Sequence, residues 1–314
     1  MIDTDNLHEV LNTHIETPIP ETTVSKIISL PPFITVPGVS NFRDLSHDEK
    51  LRAGYVYRSG NLSDITEEGK AILTKQLGIT TIFDLRNEGE RLRAPSPVIE
   101  GLDTIWMPYG ARPASLDLRD FAGEDTSATG FVKMYTGILD AATPAFSQVF
   151  SHIRDQPDDP FIFHCSGQCL TLFLPPLQRV VDEFTTVEIS SINSFFFQII
   201  AGKDRTGVLA ALILLLIGRT HDDIINDYIL TRVALENVRE SLTEALALEG
   251  GTDHLSPEAK GMLELSGVRA QSMAAFLKTF ENTYKGGVEE FLTTKLGFSP
   301  EDVQNMRHHL TDYS

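Results

Sequence analysis

The sequence predicts an α/β fold, a central and mainly parallel sheet flanked by helices. Three observations carry this. The runs TTIFDLR and DTIWMP, rich in β-branched and aromatic residues, read as buried strands and alternate with longer helical patterns, as a parallel sheet requires. The 314 residues, 41% of them hydrophobic, suffice for one large core of that kind or two modest ones. The longest apolar helical pattern, residues 208–218, is too short to span a bilayer and is a helix buried against the sheet.

The elements follow in order. Residues 1–30 are an N-terminal extension with a helical turn or two and a proline-containing tail, and Pro31 and Pro32 mark entry to the domain filling 31–314. FITV (33–36) and YVYRS (55–59) are expected strands, and 64–77 is a helix capped by Ser63 or Asp64 and closed by Gly78. Residues 113–130 are expected to be a mobile polar loop, 131–153 a helix, and FIFHC (161–165) a further strand. Residues 219–231 form an amphipathic helix, and 232–283 are helical with a break at Gly250 and Gly251. Two helices in 287–310, separated by Gly297, Ser299 and Pro300, close the domain.

The formal net charge of −18 opposes non-specific binding to nucleic acid or to an anionic membrane. A phosphate-bearing partner must therefore be met by a local positive site, for which Lys203 and Arg205 are the candidates. The first ten residues are polar and acidic, unlike a signal peptide, so a cytoplasmic location is expected, with no stable membrane insertion. The two cysteines, Cys165 and Cys169, form neither a disulfide framework nor a metal quartet, and the nine histidines show no metal spacing. No cofactor or metal is called for.

The chemistry lies in residues 161–218, in two halves. FIFHCS ends in His164, Cys165 and Ser166; AGKDRTGVLAALILLLIG opens at Ala201. Joined, they read FIFHCSAGKDRTGVLAALILLLIG, with five residues between Cys165 and Arg205. A strand would then deliver a cysteine to a turn whose N–H groups, from Ser166 and Ala201 through Gly202 and Lys203, converge at a helix N-terminus and favour an anion. The same field favours a thiolate, making Cys165 a nucleophile towards phosphorus. Arg205 supplies a planar fork for two phosphate oxygens. Gly202 lets the backbone pass close to the ligand, and Thr206 is placed for the helix start and for a hydroxyl contact with the sulfur. Asp204 is positioned to protonate the leaving oxygen. Cys169 is assigned no role.

The joined HCSAGKDRTG resembles the signature of the tyrosine phosphatase superfamily, in the form used by the bacterial and fungal protein tyrosine/serine phosphatases, a branch that includes phosphoinositide-active members. VSNFRDL (39–45) with YVYRSGNLSDIT (55–66), IFDLRNEGE (82–90), DDIINDYILT (222–231) and YKGGVEEFLTTKLGFSPEDVQNMR (284–307) resemble further blocks of that branch, in its order. The resemblance implies a tyrosine-phosphatase-like fold with a helical subdomain over 232–283, either a lid on the site or a surface helical pair. It makes Asp84 an orienting group near the loop, against the plainer alternative of a salt-bridged strand end. Arg43 and Arg58 are expected to be structural, and His164 to hydrogen-bond and orient the loop backbone.

The chain departs from the family at residues 167–200, 34 in all, which place Cys165 and Arg205 40 positions apart. The entropy of the longer loop costs only about 1.5–2 kcal/mol. The crowded arc of inward-pointing N–H groups is the greater obstacle. The codons available at Gly167, Gln168, Ile200 and Ala201 allow an intron-like GT start and AG end, and 34 codons keep the frame. Residues 192–197 allow a branch-like site and a pyrimidine tract. The expectation is a translated intron, the alternative a genuine insertion.

Two function classes follow. One is a cysteine-dependent phosphatase acting on protein Tyr/Ser phosphate monoesters, or on phosphoinositides, through a phosphocysteine, with Cys165 as nucleophile, Arg205 as clamp and Asp204 as acid then base. The other is an inactive pseudophosphatase or binding scaffold whose broken loop fails to bring Cys165 and Arg205 together.

Overall fold

The computed structural model describes residues 4–46, 50–107, 117–122, 127–166, 202–237, 239–240 and 255–311. Five strands form one sheet in the order β1-β2-β5-β3-β4. They are β1 (Arg43–Asp44), β2 (Val56–Ser59), β3 (Thr81–Asp84), β4 (Asp103–Trp106) and β5 (Phe161–His164). All pair in parallel except the edge strand β1, antiparallel to β2. The mainly parallel α/β sheet expected from the sequence is what forms.

Both faces of the sheet are covered, and the two-residue side-chain period sorts the strands between them. Tyr57, Ile162 and Ile82 lie in register across β2, β5 and β3, and pack with Phe42, Leu62, Ile65, Leu73, Ile79 and Ile99. Val56, Phe161, Phe163 and Phe83 point the other way, into the larger core with the apolar helix behind the loop. The next register row, Ser59, His164 and Asp84, ends the three strands together. Cys165 therefore leaves the carboxyl edge of the central strand, where ligands bind in open α/β sheets.

Helices α1 (Thr4–Leu11) and α2 (Glu21–Ile28) precede the sheet. They are docked: Leu11, Ile15, Ile19 and Ile27 are buried in the main core. Buried Arg232 ties the segment between them down by donating to the carbonyls of Thr13 (3.0 Å) and Thr17 (2.8 Å). Helix α3 (Glu67–Ala71) starts later than expected, because Thr66, not Ser63 or Asp64, accepts from the Gly69 N–H as its cap. It continues as a wider turn over Ile72–Gln76 before Gly78, at φ 63°, ends it. FITV makes only isolated bridges, Phe33 to Arg43 and Val36 to Val39, since the two-residue β1 offers no longer partner.

Helix α4 (Glu88–Arg93) carries a reciprocal cap between Asn87 and Glu90. In the expected polar loop, Leu118–Phe121 forms a tight turn whose Leu118 and Phe121 are buried, and Ser127 to Gly130 already belong to a helix. The remainder of that loop lies outside the described residues. The single helix expected over 131–153 is two, α5 (Ser127–Ala141) and α6 (Thr143–Asp155), with Pro144 in the first turn of the second. After β5 come α7 (Asp204–Leu216), α8 (His221–Ile229, capped by Thr220) and α9 (Thr231–Ala234). Helices α10 (Pro257–Ser266), α11 (Ala270–Thr283), α12 (Gly287–Thr294) and α13 (Pro300–Thr311) complete the fold. The break at Gly250 and Gly251 lies outside the described residues. Among those described, no helix is long and apolar enough to cross a membrane.

Candidate active site

Although 34 residues separate them in the chain, the two halves of the candidate loop meet. Cys165 Sγ lies 3.8 Å from Thr206 Oγ1, and Arg205 Nη2 donates to the Ser166 carbonyl at 2.8 Å. Gly202 packs on the end of β2: at φ 55° it lies so close that a Cβ would overlap the Ser59 carbonyl. Behind it α7 is buried almost throughout, so its first turn is held by the core against the end of β5. Ala201 and Cys169 lie outside the described residues.

Arg205 is fixed by a residue that the sequence reasoning missed. Its two Nη atoms meet Glu90 Oε1 and Oε2, each at 2.6 Å, in the two-pronged geometry a guanidinium and a carboxylate favour. Nη1 also donates to the Leu85 carbonyl at 3.0 Å. Ser166 Oγ donates to Glu90 Oε1 at 2.7 Å, and the Asn87 N–H to Oε2 at 2.7 Å. One buried carboxylate thus caps its own helix, orients the arginine and holds the residue after the cysteine. The only trace in the sequence is the capping spacing of Asn87 and Glu90.

Asp204, 6% exposed, accepts from the Tyr135 hydroxyl at 2.9 Å, and that hydroxyl is 2.7 Å from Tyr228 Oη. Burial, then the neighbouring Tyr228 and Asp204, push the Tyr135 phenol well above its ordinary range, so it stays a donor. Lys203 is not presented as a free charge. Its ammonium is buried on the carbonyls of Leu265 (2.5 Å) and Gly267 (2.8 Å), 3.5 Å from Asp204 Oδ1, which joins the loop to the end of α10. Among the acidic residues of the expected polar loop over 113–130, Asp117 is paired with Arg119, and Asp120 with Lys133 at 2.9 Å; Asp125 lies outside the described residues.

Asp84 is a salt-bridged strand end. It holds Arg86 through both oxygens at 2.9 Å and accepts from Ser96 at 2.7 Å. Burial pushes its carboxyl up, yet His164 beside it and the Arg86 pair hold it well below the usual carboxylate range. His164, expected to hydrogen-bond the loop backbone, makes no hydrogen bond to the described part of the loop. Among the described residues neither ring nitrogen has a hydrogen-bond partner, and Nε2 is 3.8 Å from Asp84 Oδ1. Burial, against the pull of Asp84 and helped by Arg86, brings its pKa down to about 4, so it is a neutral ring packed behind the cysteine.

A model described as the tyrosine phosphatase family matches residues 34–167 and 176–312, most of the chain. The chain belongs to the tyrosine phosphatase family. The match breaks inside the 167–200 stretch and resumes at 176, within it. Among characterised proteins, this phosphatase is similar to the triple specificity protein phosphatase PtpB of Mycobacterium tuberculosis, 29% identical over 287 residues, 87% of this chain and 96% of that one. It is also similar to a tyrosine-protein phosphatase of Nostoc commune, 24% identical over 265 residues, 81% of this chain and 73% of that one. It is accordingly an enzyme of the protein tyrosine/serine phosphatase kind.

Proposed function

We propose that this phosphatase hydrolyses phosphate monoesters on protein tyrosine and serine through a phosphocysteine at Cys165. The observation that carries the assignment is the meeting of Cys165 with the first turn of α7, at 3.8 Å from Thr206. The Cys165 thiolate attacks phosphorus as the ester P–O bond breaks, and the leaving oxygen takes its proton from Asp204. Water then attacks phosphorus, the S–P bond breaks with its electrons returning to sulfur, and Asp204 takes the water proton. Gly202 and the neighbouring loop amides, from Ser166 through Ala201 and Lys203, cradle the phosphate. Its oxygens take over Arg205 donors that now rest on the Leu85 and Ser166 carbonyls, while Glu90 keeps the fork in plane.

A relative named for triple specificity supports a broad substrate range, with phosphoinositides the further candidate. The buried seat of Lys203 adds no separate support for a multiply phosphorylated headgroup. Side-by-side turnover of a phosphopeptide and a phosphoinositide assigns the class. A thiol nucleophile suits a reducing cytoplasmic setting.

The deciding experiment is Cys165→Ser, made in the full chain and in a chain joining Ser166 to Ala201. Turnover of an aryl phosphate is lost while binding of the ester persists, because Arg205 and the loop amides remain. Retained turnover removes Cys165 from the mechanism. Sequencing the transcript decides between intron and insertion.

A further inference from the structure

Beneath the loop, two fully buried guanidinium groups share one buried carboxylate. Arg43 Nε lies 2.9 Å from Asp227 Oδ1, and Arg58 Nη1 donates to Asp227 Oδ2. Arg43 also donates to the Asp227 carbonyl at 3.0 Å. Arg58 reaches further, and its Nη2 donates to the Gly202 carbonyl at 3.0 Å and to Thr206 Oγ1 at 3.2 Å. The Thr206 hydroxyl is itself hydrogen-bonded to the Gly202 carbonyl and stands 3.8 Å from Cys165 Sγ.

A threonine hydroxyl has one proton, and here two acceptors compete for it, the Gly202 carbonyl and the sulfur. Were Thr206 the only donor to that carbonyl, turning the proton towards sulfur would strand a buried acceptor. Arg58 supplies the carbonyl with a second donor. The hydroxyl can then turn to the sulfur when it carries charge, without leaving Gly202 unsatisfied.

We propose that Arg58, oriented by Asp227, is a positioning residue that frees the Thr206 proton for the Cys165 sulfur. The proposal rests on Cys165 being the nucleophile. It gives a function to a cluster built from three distant segments, β1, β2 and α8, which a purely structural ion pair does not require. Asp227 keeps Arg43 as a partner when Arg58 is replaced, so Arg58→Met leaves no buried carboxylate without a cation.

The test is a double-mutant cycle between Arg58 and Thr206 in the full chain with Cys169→Ser, so that a single thiol is read. Aryl phosphate turnover and the iodoacetamide alkylation rate of Cys165 are measured for Thr206→Val, Arg58→Met and the pair. Each single change lowers kcat by about 10- to 100-fold, the rate equivalent of one hydrogen bond to a charged group, with KM little changed. In the Arg58→Met background, Thr206→Val has no further effect on either readout.

Multiplying single effects, an unchanged Arg58→Met chain, or an unchanged Thr206→Val chain overturns the proposal. Should Arg58→Met lose its thermal unfolding transition, Arg58→Lys is carried through the same cycle. It keeps a cation for Asp227 but lacks the fork that reaches both partners. Alkylation reads the sulfur without turnover, so the cycle is decisive even in a chain that hydrolyses nothing. Turnover surviving in Cys165→Ser sinks the nucleophile assignment; an additive cycle sinks this one.

Discussion

Replacing Glu90 by Gln tests whether one carboxylate organises the site. Glu90 accepts four hydrogen bonds within 2.6–2.7 Å, two from Arg205 and one each from Ser166 and the Asn87 N–H, at 2% exposure. Glutamine keeps the shape but only one accepting oxygen, so the donors on one edge of the group, Arg205 and either Ser166 or Asn87, lose their acceptor. Removing one charge of a buried pair costs about 3–5 kcal/mol, because the arginine left behind is uncompensated. Near 2 °C per kcal/mol for a domain of this size, the melting temperature should fall by roughly 6–10 °C. Activity should fall further than stability explains, since the freed guanidinium is no longer held in the plane of the Glu90 carboxylate. We expect kcat at a temperature well below melting to drop by about 10²-fold, the scale seen when a preorganised donor is lost. Calorimetry and steady-state kinetics on the same preparation read both. A variant that melts with the natural chain and keeps its kcat would refute the role given to Glu90.

His164 should set an acid-side stability slope. Its folded value near 4 lies below the ordinary 6.5, so the unfolded chain binds more protons between those values and stability falls as pH drops from about 6.5 to 4. The size is on the order of 3 kcal/mol, and His164→Gln should flatten denaturant midpoints over that window; an unchanged slope would assign it elsewhere. Asp204→Asn should slow phosphotyrosine and phosphoserine esters by about 10²–10⁴-fold and a nitrophenyl ester far less, because only a poor leaving group needs the proton. Equal slowing of both ester types would make Asp204 a structural loop residue.

The sequence by itself determined the sheet and the buried helix that carries Arg205. These are written locally: β-branched runs specify TTIFDLR and DTIWMP, and one uninterrupted apolar stretch specifies α7. Cys165, Arg205 and Thr206 were legible from residue type and spacing once the intervening residues were set aside. Tertiary structure decided what surrounds them. Glu90 stands 115 positions from Arg205, Tyr135 is 69 from Asp204, and Asp227 is 169 from Arg58. No periodicity or cap connects such pairs; they meet because parallel strands end together at one edge of the sheet and α8 folds back under it. The same reason explains the misplaced expectations. The sequence suggests Lys203 as a charge facing a ligand and His164 as a hydrogen-bonding ring, because it names a group but not its neighbours. The fold seats Lys203 on the carbonyls of Leu265 and Gly267 and buries His164 beside Asp84 and Arg86. In a buried site, charge and proton position are set by the partners within reach, and reach is a property of the folded chain.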